Sequence, residues 1–203
     1  MRRFLLLTLF SFLFLTKMYG QHADKFAIGF NYGFGNEFKN KDYIFDNHFY
    51  KLQVYYNLKE NKNIQYQILL QPEINFARHK LLNLYFVKPE TADFEEKRIT
   101  YTQLKKIHEY VLNVGFLVRK PINEKFSVYA LGSIGPMITE TETERMSEGF
   151  AFADVLAIGL CVKVQRFQFD VRPGVRHVSN AGLGDSNSGY NTKNIEFGIS
   201  YCL

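Results

Sequence analysis

The stretch Phe26-Ala27-Ile28-Gly29-Phe30-Asn31-Tyr32-Gly33-Phe34-Gly35 decides the fold. Its even positions are large and apolar and its odd positions are small or polar. That period of two is the signature of an extended strand whose side chains alternate between two faces. The pattern recurs along the chain. Tyr50, Leu52, Val54, Tyr56 and Leu58 alternate with Lys51, Gln53, Tyr55 and Asn57, and Ile64, Tyr66, Ile68, Leu70, Ile74 and Phe76 with Gln65, Gln67, Gln71, Glu73 and Asn75. Further runs begin at Tyr110, Phe126, Leu156, Phe167 and Ile195, for a total of eight, an even number. The face opposite the apolar one mixes Gly, Gln, Asn and Ser with Glu73, Glu109, Asp170, Arg172 and Arg176. Such residues suit a narrow barrel interior in which charges pair, while the apolar rows face lipid. The expected fold is therefore all-β, an eight-stranded antiparallel transmembrane β-barrel.

The chain start agrees with export. Met1-Arg2-Arg3 is a short positive opening, and Phe4 to Thr16 is almost unbroken Leu and Phe, too short to span a bilayer. Residues 1–20 are expected to be a secretory signal peptide cleaved after Gly20, and residues 21–203 the barrel domain. The 203 residues are room for one domain. Lys and Arg total 25 against 20 Asp and Glu, and without Arg2, Arg3 and Lys17 the excess falls to 22 − 20 = +2. So small a surplus argues against nucleic acid as a partner. An exported barrel of this kind belongs in the bacterial outer membrane.

Link lengths alternate as a barrel requires, with short turns at one rim and long loops at the other. Residues 59–63, 120–125 and 165–166 make short turns; roughly 35–48, 77–106, 139–149 and 180–190 make long ones. The longest contains Leu81 to Val87 and Ile99 to Leu104, and is expected to continue as a β-hairpin above the bilayer. Pro72, Pro136 and Pro173 fall inside the third, fifth and seventh runs, where each removes a ladder donor, so bulges or broken pairing are expected near the outer rim. Cys161 and Cys202 lie on the sixth and eighth strands with a whole strand between them, too far apart to form a bridge.

The seventh run carries the chemistry. Its lipid-facing row, Phe167, Phe169, Val171, Pro173 and Val175, continues at the same parity into His177 and Ser179. Polar groups on such a face are costly unless the strand has reached the head-group zone or the groups have work to do. Residues two apart on one strand face lie about 7 Å apart, within reach for an imidazole to take a hydroxyl proton. Small residues and amides follow in Asn180-Ala181-Gly182-Leu183 and Asn187-Ser188-Gly189.

Arg176-His177-Val178-Ser179-Asn180-Ala181-Gly182-Leu183, with Asn187 and Gly189, resembles the motif of the PagL-type lipid A 3-O-deacylases, outer-membrane barrel esterases with a His-x-Ser-Asn core. The resemblance implies a serine esterase, a carboxylic ester hydrolase acting on an acyl chain of lipid A. It makes Ser179 the nucleophile, His177 the general base, and Gly182 (backbone) and Asn187 (side chain) the oxyanion donors. The family's acid position falls on Asn191, which can orient an imidazole but carries no charge. Glu196 ranks second for that role, although its parity points inward, and Asp185 in the loop is a third choice. The resemblance implies no metal and no cofactor; the partners are lipid A, or lipopolysaccharide, and the surrounding outer-membrane lipid.

Other clusters are less specific. Tyr190 and nearby aromatics suit either an acyl groove or an interfacial belt. Arg78, His79, Lys80, Lys97, Arg98, Lys105 and Lys106 suit lipid A phosphates or plain solvated loops, and Glu140, Glu142 and Glu144 suit a solvated strand extension better than a cation site. His108 and Glu109 are adjacent and face opposite ways. The alternative from another class is a non-enzymatic small outer-membrane barrel with a structural or partner-binding role.

Overall fold

A computed structural model describes residues 25–38, 41–61 and 63–203. The expected signal peptide lies outside these residues. Eight strands, β1 (Phe26–Glu37), β2 (Tyr43–Glu60), β3 (Gln65–Leu81), β4 (Lys105–Pro121), β5 (Phe126–Thr139), β6 (Gly149–Val164), β7 (Phe167–Ser179) and β8 (Tyr190–Cys202), follow in chain order. Each pairs antiparallel with the next, and β1 pairs with β8 to close the barrel. Closure leaves no sheet edge unpaired, the condition for a β-structure in hydrocarbon.

The period of two sorts side chains by face. Ile28, Phe30, Leu52, Leu70, Val114, Leu156, Ile158 and Phe169 are exposed on the outer wall, Leu156 at 65% and Ile158 at 67%. A water-exposed face of this kind would be unstable in a soluble protein; facing lipid, it is the barrel's apolar belt. The lumen is filled by charge. Lys51 lies 2.9 Å from Glu196 and 3.4 Å from Glu73, and Arg176 bridges Glu73 and Glu109 at 2.8 Å each. Arg172 meets Asp170 at 3.2 Å and Glu196 at 3.5 Å, while Asn75 and Asn113 donate to Glu109 and Glu73. Buried charge is tolerated here because nearly every group has a partner; removing one member of such a pair costs about 3–5 kcal/mol.

Near the outer rim the two faces exchange character. Tyr43, Phe45, Ala77, Ile107, Met137 and Tyr190 turn inward and are buried, while Asp46, Arg78 and Lys106 stand on the outer wall. This inversion explains why the strands run further than the apolar rows suggest. The first link is only 38–42, not 35–48, because β1 and β2 stay paired as far as Asn36↔Asp46.

The longest link is not a hairpin. It holds a 3-10 turn at Leu84–Phe86 and a helix, α1 (Phe94–Tyr101). Val87 and Tyr101 pack on Leu81 beside Phe86 and Phe94, and Arg98 caps Val87 by donating to its carbonyl from Nε and Nη2 at 3.0 and 2.8 Å. The apolar residues read as two strands thus pack locally around a helix. Tyr101 donates to Glu142 at 2.6 Å, and its burial, with that carboxylate beside it, pushes the phenol well above its ordinary pKa.

Each proline interrupts the ladder on one side and leaves the register intact. Pairing of β2 with β3 jumps from Lys51↔Glu73 to Val54↔Leu70, β4 with β5 from Val111↔Met137 to Val114↔Ile134, and β6 with β7 from Ala157↔Gly174 to Leu160↔Val171. On the other side Pro72↔Leu112, Pro136↔Phe152 and Pro173↔Ile195 remain paired. The pairing breaks without a bulge at these positions; the one register shift between β2 and β3 is at Asn57/Lys59. The interruptions at Pro72 and Pro173 lie mid-strand, whereas that at Pro136 lies three residues from the outer end of β5. Cys161 and Cys202 are free, with Gln168 of β7 between them.

Candidate active site

His177 and Ser179 stand on the outer wall of β7, the imidazole exposed and the hydroxyl half-buried. The register sets Asn191 of β8 directly beside His177, and Asn191 Oδ1 lies 2.9 Å from His177 Nδ1. With the carboxamide oxygen there, Nδ1–H donates to it and the lone pair is left on Nε2. Among the described residues, neither Nε2 of His177 nor the Ser179 hydroxyl has a hydrogen-bond partner, so both are available to a substrate and to each other.

The loop after Ser179 is built around Asn180, which is 1% exposed. Its backbone N–H donates to Asn187 Oδ1 (2.9 Å), its Nδ2 to the Ser186 carbonyl (2.9 Å), and its Oδ1 accepts from Gly182 N–H (3.0 Å). Ala181 and Gly182 both take positive φ, 54° and 79°. Gly182, expected as an oxyanion donor, therefore has its N–H engaged within its own turn. Asn187 uses only its oxygen, and its Nδ2 has no partner among the described residues. Gly189, at φ 61°, lets the returning chain pass against the Val178 carbonyl, where a Cβ would collide.

A second loop braces the first. In the β5–β6 link the Arg145 carbonyl accepts from the N–H groups of Ser188 (2.7 Å) and Gly189 (3.0 Å), and its Nε donates back to the Gly189 carbonyl (2.7 Å). Ser147 and Ser186 are joined through both backbone and side chain. The Arg145 guanidinium lies 4.3 Å over the Tyr43 ring, so the brace is anchored to the plug inside the barrel.

Several expected residues fall elsewhere. Glu196 faces the lumen and binds Lys51, Arg172 and Asn31, and so does not reach His177. Asp185 is exposed in the loop. Tyr190 is 1% exposed and faces inward among Tyr43, Phe45 and His79, with its hydroxyl on Thr143, so it lines no outer acyl groove. His79 is also inside, with Nε2 2.8 Å from the buried Glu144. Glu142 accepts from Tyr101, and Glu140 lies 3.7 Å from His108. The three glutamates thus serve three different partners.

Sequence reading missed two charges. Asp154 of β6 is the cross-strand partner of His177 on the side away from Asn191, and Lys193 of β8 is the partner of Val175. Both are exposed on the outer wall. The signal was present for Asp154, which interrupts the apolar lipid-facing row Phe150-x-Phe152-x-Asp154-x-Leu156, whereas Lys193 follows the polar Asn191 and precedes the row Ile195-x-Phe197. Directly opposed residues have Cβ atoms about 4.5–5.5 Å apart, so Asp154 is the acidic neighbour of His177 along the ladder, although no ion pair joins the two side chains among the described residues.

A closed eight-stranded antiparallel barrel with an apolar girdle defines a class: outer-membrane β-barrel proteins. A family model described as Lipid A 3-O-deacylase (PagL) matches residues 87–200, and the chain belongs to that family. Among solved structures it is similar to the outer membrane enzyme PagL, with a TM-score of 0.57 and 13% identity over 84% of this chain and 97% of that one. It is also similar to Neisserial surface protein A, NspA, with a TM-score of 0.51 and 10% identity over 88% and 97%. At such identities these two likenesses speak to the barrel alone. No curated protein matches the sequence. The protein is thus an outer-membrane β-barrel of the lipid A deacylase family, a family of hydrolases.

Proposed function

We propose that the protein is a serine esterase that removes an ester-linked acyl chain from lipid A at the outer wall of β7 and β8. The observation that carries this reading is the 2.9 Å contact of His177 Nδ1 with Asn191 Oδ1, which holds Nε2 free on the face shared with Ser179. The substrate lies in the leaflet with its acyl chains against the belt, so its ester reaches the site without leaving the membrane.

In the proposed reaction His177 Nε2 takes the Ser179 hydroxyl proton as Oγ attacks the acyl carbonyl carbon. The oxyanion meets the Asn187 Nδ2 donor. Collapse breaks the ester bond, and the imidazolium gives its proton to the departing sugar oxygen. A water then attacks the acyl-enzyme by the same route, releasing the fatty acid and restoring Ser179. Asn191 holds the productive tautomer but, being neutral, leaves the imidazolium unbalanced; Asp154 on the next strand supplies the negative charge.

The test is the mass of lipid A from cells expressing the protein. Loss of one ester-linked acyl chain, reversed by Ser179→Ala, supports the reading. Unaltered lipid A beside well-inserted wild-type protein overturns it in favour of a non-enzymatic barrel, a role for which the fold alone is sufficient.

A further inference from the structure

The cations that sequence reading grouped together divide, and part of them stands far from His177. Arg98 is tied to the Val87 carbonyl, and Lys105 donates to the Glu142 carbonyl and lies over the Tyr101 ring. Lys97 lies on α1, and Arg78 and Lys80 of β3 and Lys106 of β4 remain, all on the outer wall near the rim. In a closed barrel of eight strands β3 is four strands from β7 in either direction, which is the opposite wall, roughly 19 Å around the circumference. These cations cannot hold the head group of a lipid whose ester lies at Ser179.

They crown a feature of their own. Below them an apolar furrow of about 600 Å³ lies across the strands of the outer wall, bordered by Tyr50, Pro72, Leu112, Pro136 and Ile138. Its floor is low because two short, rigid prolines flank Leu112 where neighbouring positions carry large side chains. Both also sit where their strand is unpaired on one side, β3 from β2 and β5 from β4. Above the furrow His48 stacks on Phe76 (5.3 Å between centroids, 16°), and His108 meets the same ring edge-on at 5.4 Å. Rings of this type mark the level where acyl chains give way to head groups. Above the rings, Arg78 pairs across the ladder with both Asp46 and Lys106.

The charge at the top is unbalanced. Arg78 is held in a two-point contact by Asp46, Nε at 2.8 Å and Nη2 at 3.1 Å. Lys80 and Lys106 have no carboxylate partner among the described residues. They sit on adjacent strands at diagonal positions, with Cα atoms about 7–8 Å apart, a gap that a phosphate group fills. From Pro72 to Arg78 is about 20 Å of strand, so a tail in the furrow and a phosphate at the lysines belong to one amphiphile.

We infer that the outer wall of β2–β5 is a second lipid site, separate from the esterase wall, which takes a phosphorylated acyl lipid of the lipid A class with one chain in the proline furrow and a phosphate between Lys80 and Lys106. A lipid held there is out of reach of Ser179 and is not hydrolysed. It anchors the barrel in the phosphate-rich leaflet and fixes which wall its neighbours see.

The experiment uses the full chain carrying Ser179→Ala, so that nothing turns over, in detergent micelles titrated with lipid A and read by native mass spectrometry. The furrow site should appear as a bound lipid whose affinity falls about 30-fold in the Lys80→Gln/Lys106→Gln double variant. Dephosphorylated lipid A on the parent chain should show the same loss, and this arm decides the matter if the double variant fails to fold. Diazirine-bearing lipid A should label peptides containing Leu112 and Pro136 on the parent chain but not on the double variant. Equal binding of phosphorylated and dephosphorylated lipid A, or labelling confined to β7 and β8, overturns the inference. With Ser179 intact, the double variant should retain the wild-type rate of any lipid A cleavage. The binding readout does not depend on the esterase reading.

Discussion

Two histidines in this barrel have an oxygen partner at nearly the same distance. His79 on β3 points inward, fully buried, with Nε2 2.8 Å from the Glu144 carboxylate. His177 on β7 points outward, exposed, with Nδ1 2.9 Å from the Asn191 amide. The first pair looks more like a catalytic acid and base on paper, since it has the carboxylate. It has no route to a substrate: Tyr43, Phe45 and Tyr190 surround the ring, and it ties the wall at β3 to the β5–β6 link. The second has the weaker partner, and on the proposed reading its free nitrogen, the hydroxyl two residues along the same face and its place on the lipid-facing wall supply the rest. Position relative to the wall, rather than the identity of the partner, separates a structural histidine from one placed to react.

That contrast is open to direct attack. The largest effect should come from Ser179→Ala and His177→Ala, each lowering lipid A cleavage by about 10⁴-fold or more in a detergent assay, with the heat-dependent gel shift of a folded barrel retained. His79→Ala should do the reverse. It strands Glu144 in the plug and should cost about 3–5 kcal/mol of stability in urea unfolding, while activity per folded molecule stays close to wild type. Equal loss of activity per folded molecule from the two histidine variants would erase the distinction. Asn191→Ala should reduce kcat by about 100-fold by freeing the wrong tautomer, and Asn191→Glu should exceed wild type if the missing charge limits the rate. The smallest effect, about tenfold on kcat with KM unchanged, is expected for Asp154→Asn. No change there would remove the carboxylate from the mechanism and leave Asn191 as the sole orienting group.

How far the sequence could be read follows from which face meets lipid. Through the belt, apolar side chains point out and polar ones in, so the period of two identifies every strand and places His177 and Ser179 on the outside. Above the belt the rule inverts. Tyr43, Phe45 and Tyr190 are apolar and inside, and Arg78 and Lys106 are charged and outside. Taking apolar as outward in that zone puts Tyr190 in an acyl groove, ends β1 too early and starts β2 too late. The helix at Phe94–Tyr101 escaped for another reason: its contacts, Leu81 with Val87 and Tyr101, are made within one loop and leave no long periodic run. Asn180 was visible as a motif residue, but its part in closing the loop through three hydrogen bonds could not be read without coordinates. Asp154 is legible as a charge in the apolar row of the sixth strand, but only the register of β6 on β7 sets it beside His177.

The brace between the two loops explains how an exposed site can be held in place. Arg145 joins the chain around Ser188 and Gly189 to the aromatic plug through four polar contacts and a ring stack. Groups placed by a rigid scaffold require no reorganisation during reaction, which is how fixed donors act on a developing charge. The lumen network of Lys51, Glu73, Glu109, Arg172, Arg176 and Glu196 supports the same wall from inside.

The most direct measurement is covalent labelling of the inserted barrel with a long-chain alkyl phosphonate ester, followed by peptide mass spectrometry. The phosphonyl group should appear on the peptide containing Ser179 and be lost in His177→Ala with the fold intact. Lipid A hydrolysis that persists at the wild-type rate while Ser179 is unlabelled, or is replaced by Ala, would show that the outward-facing pair is not where the reaction occurs.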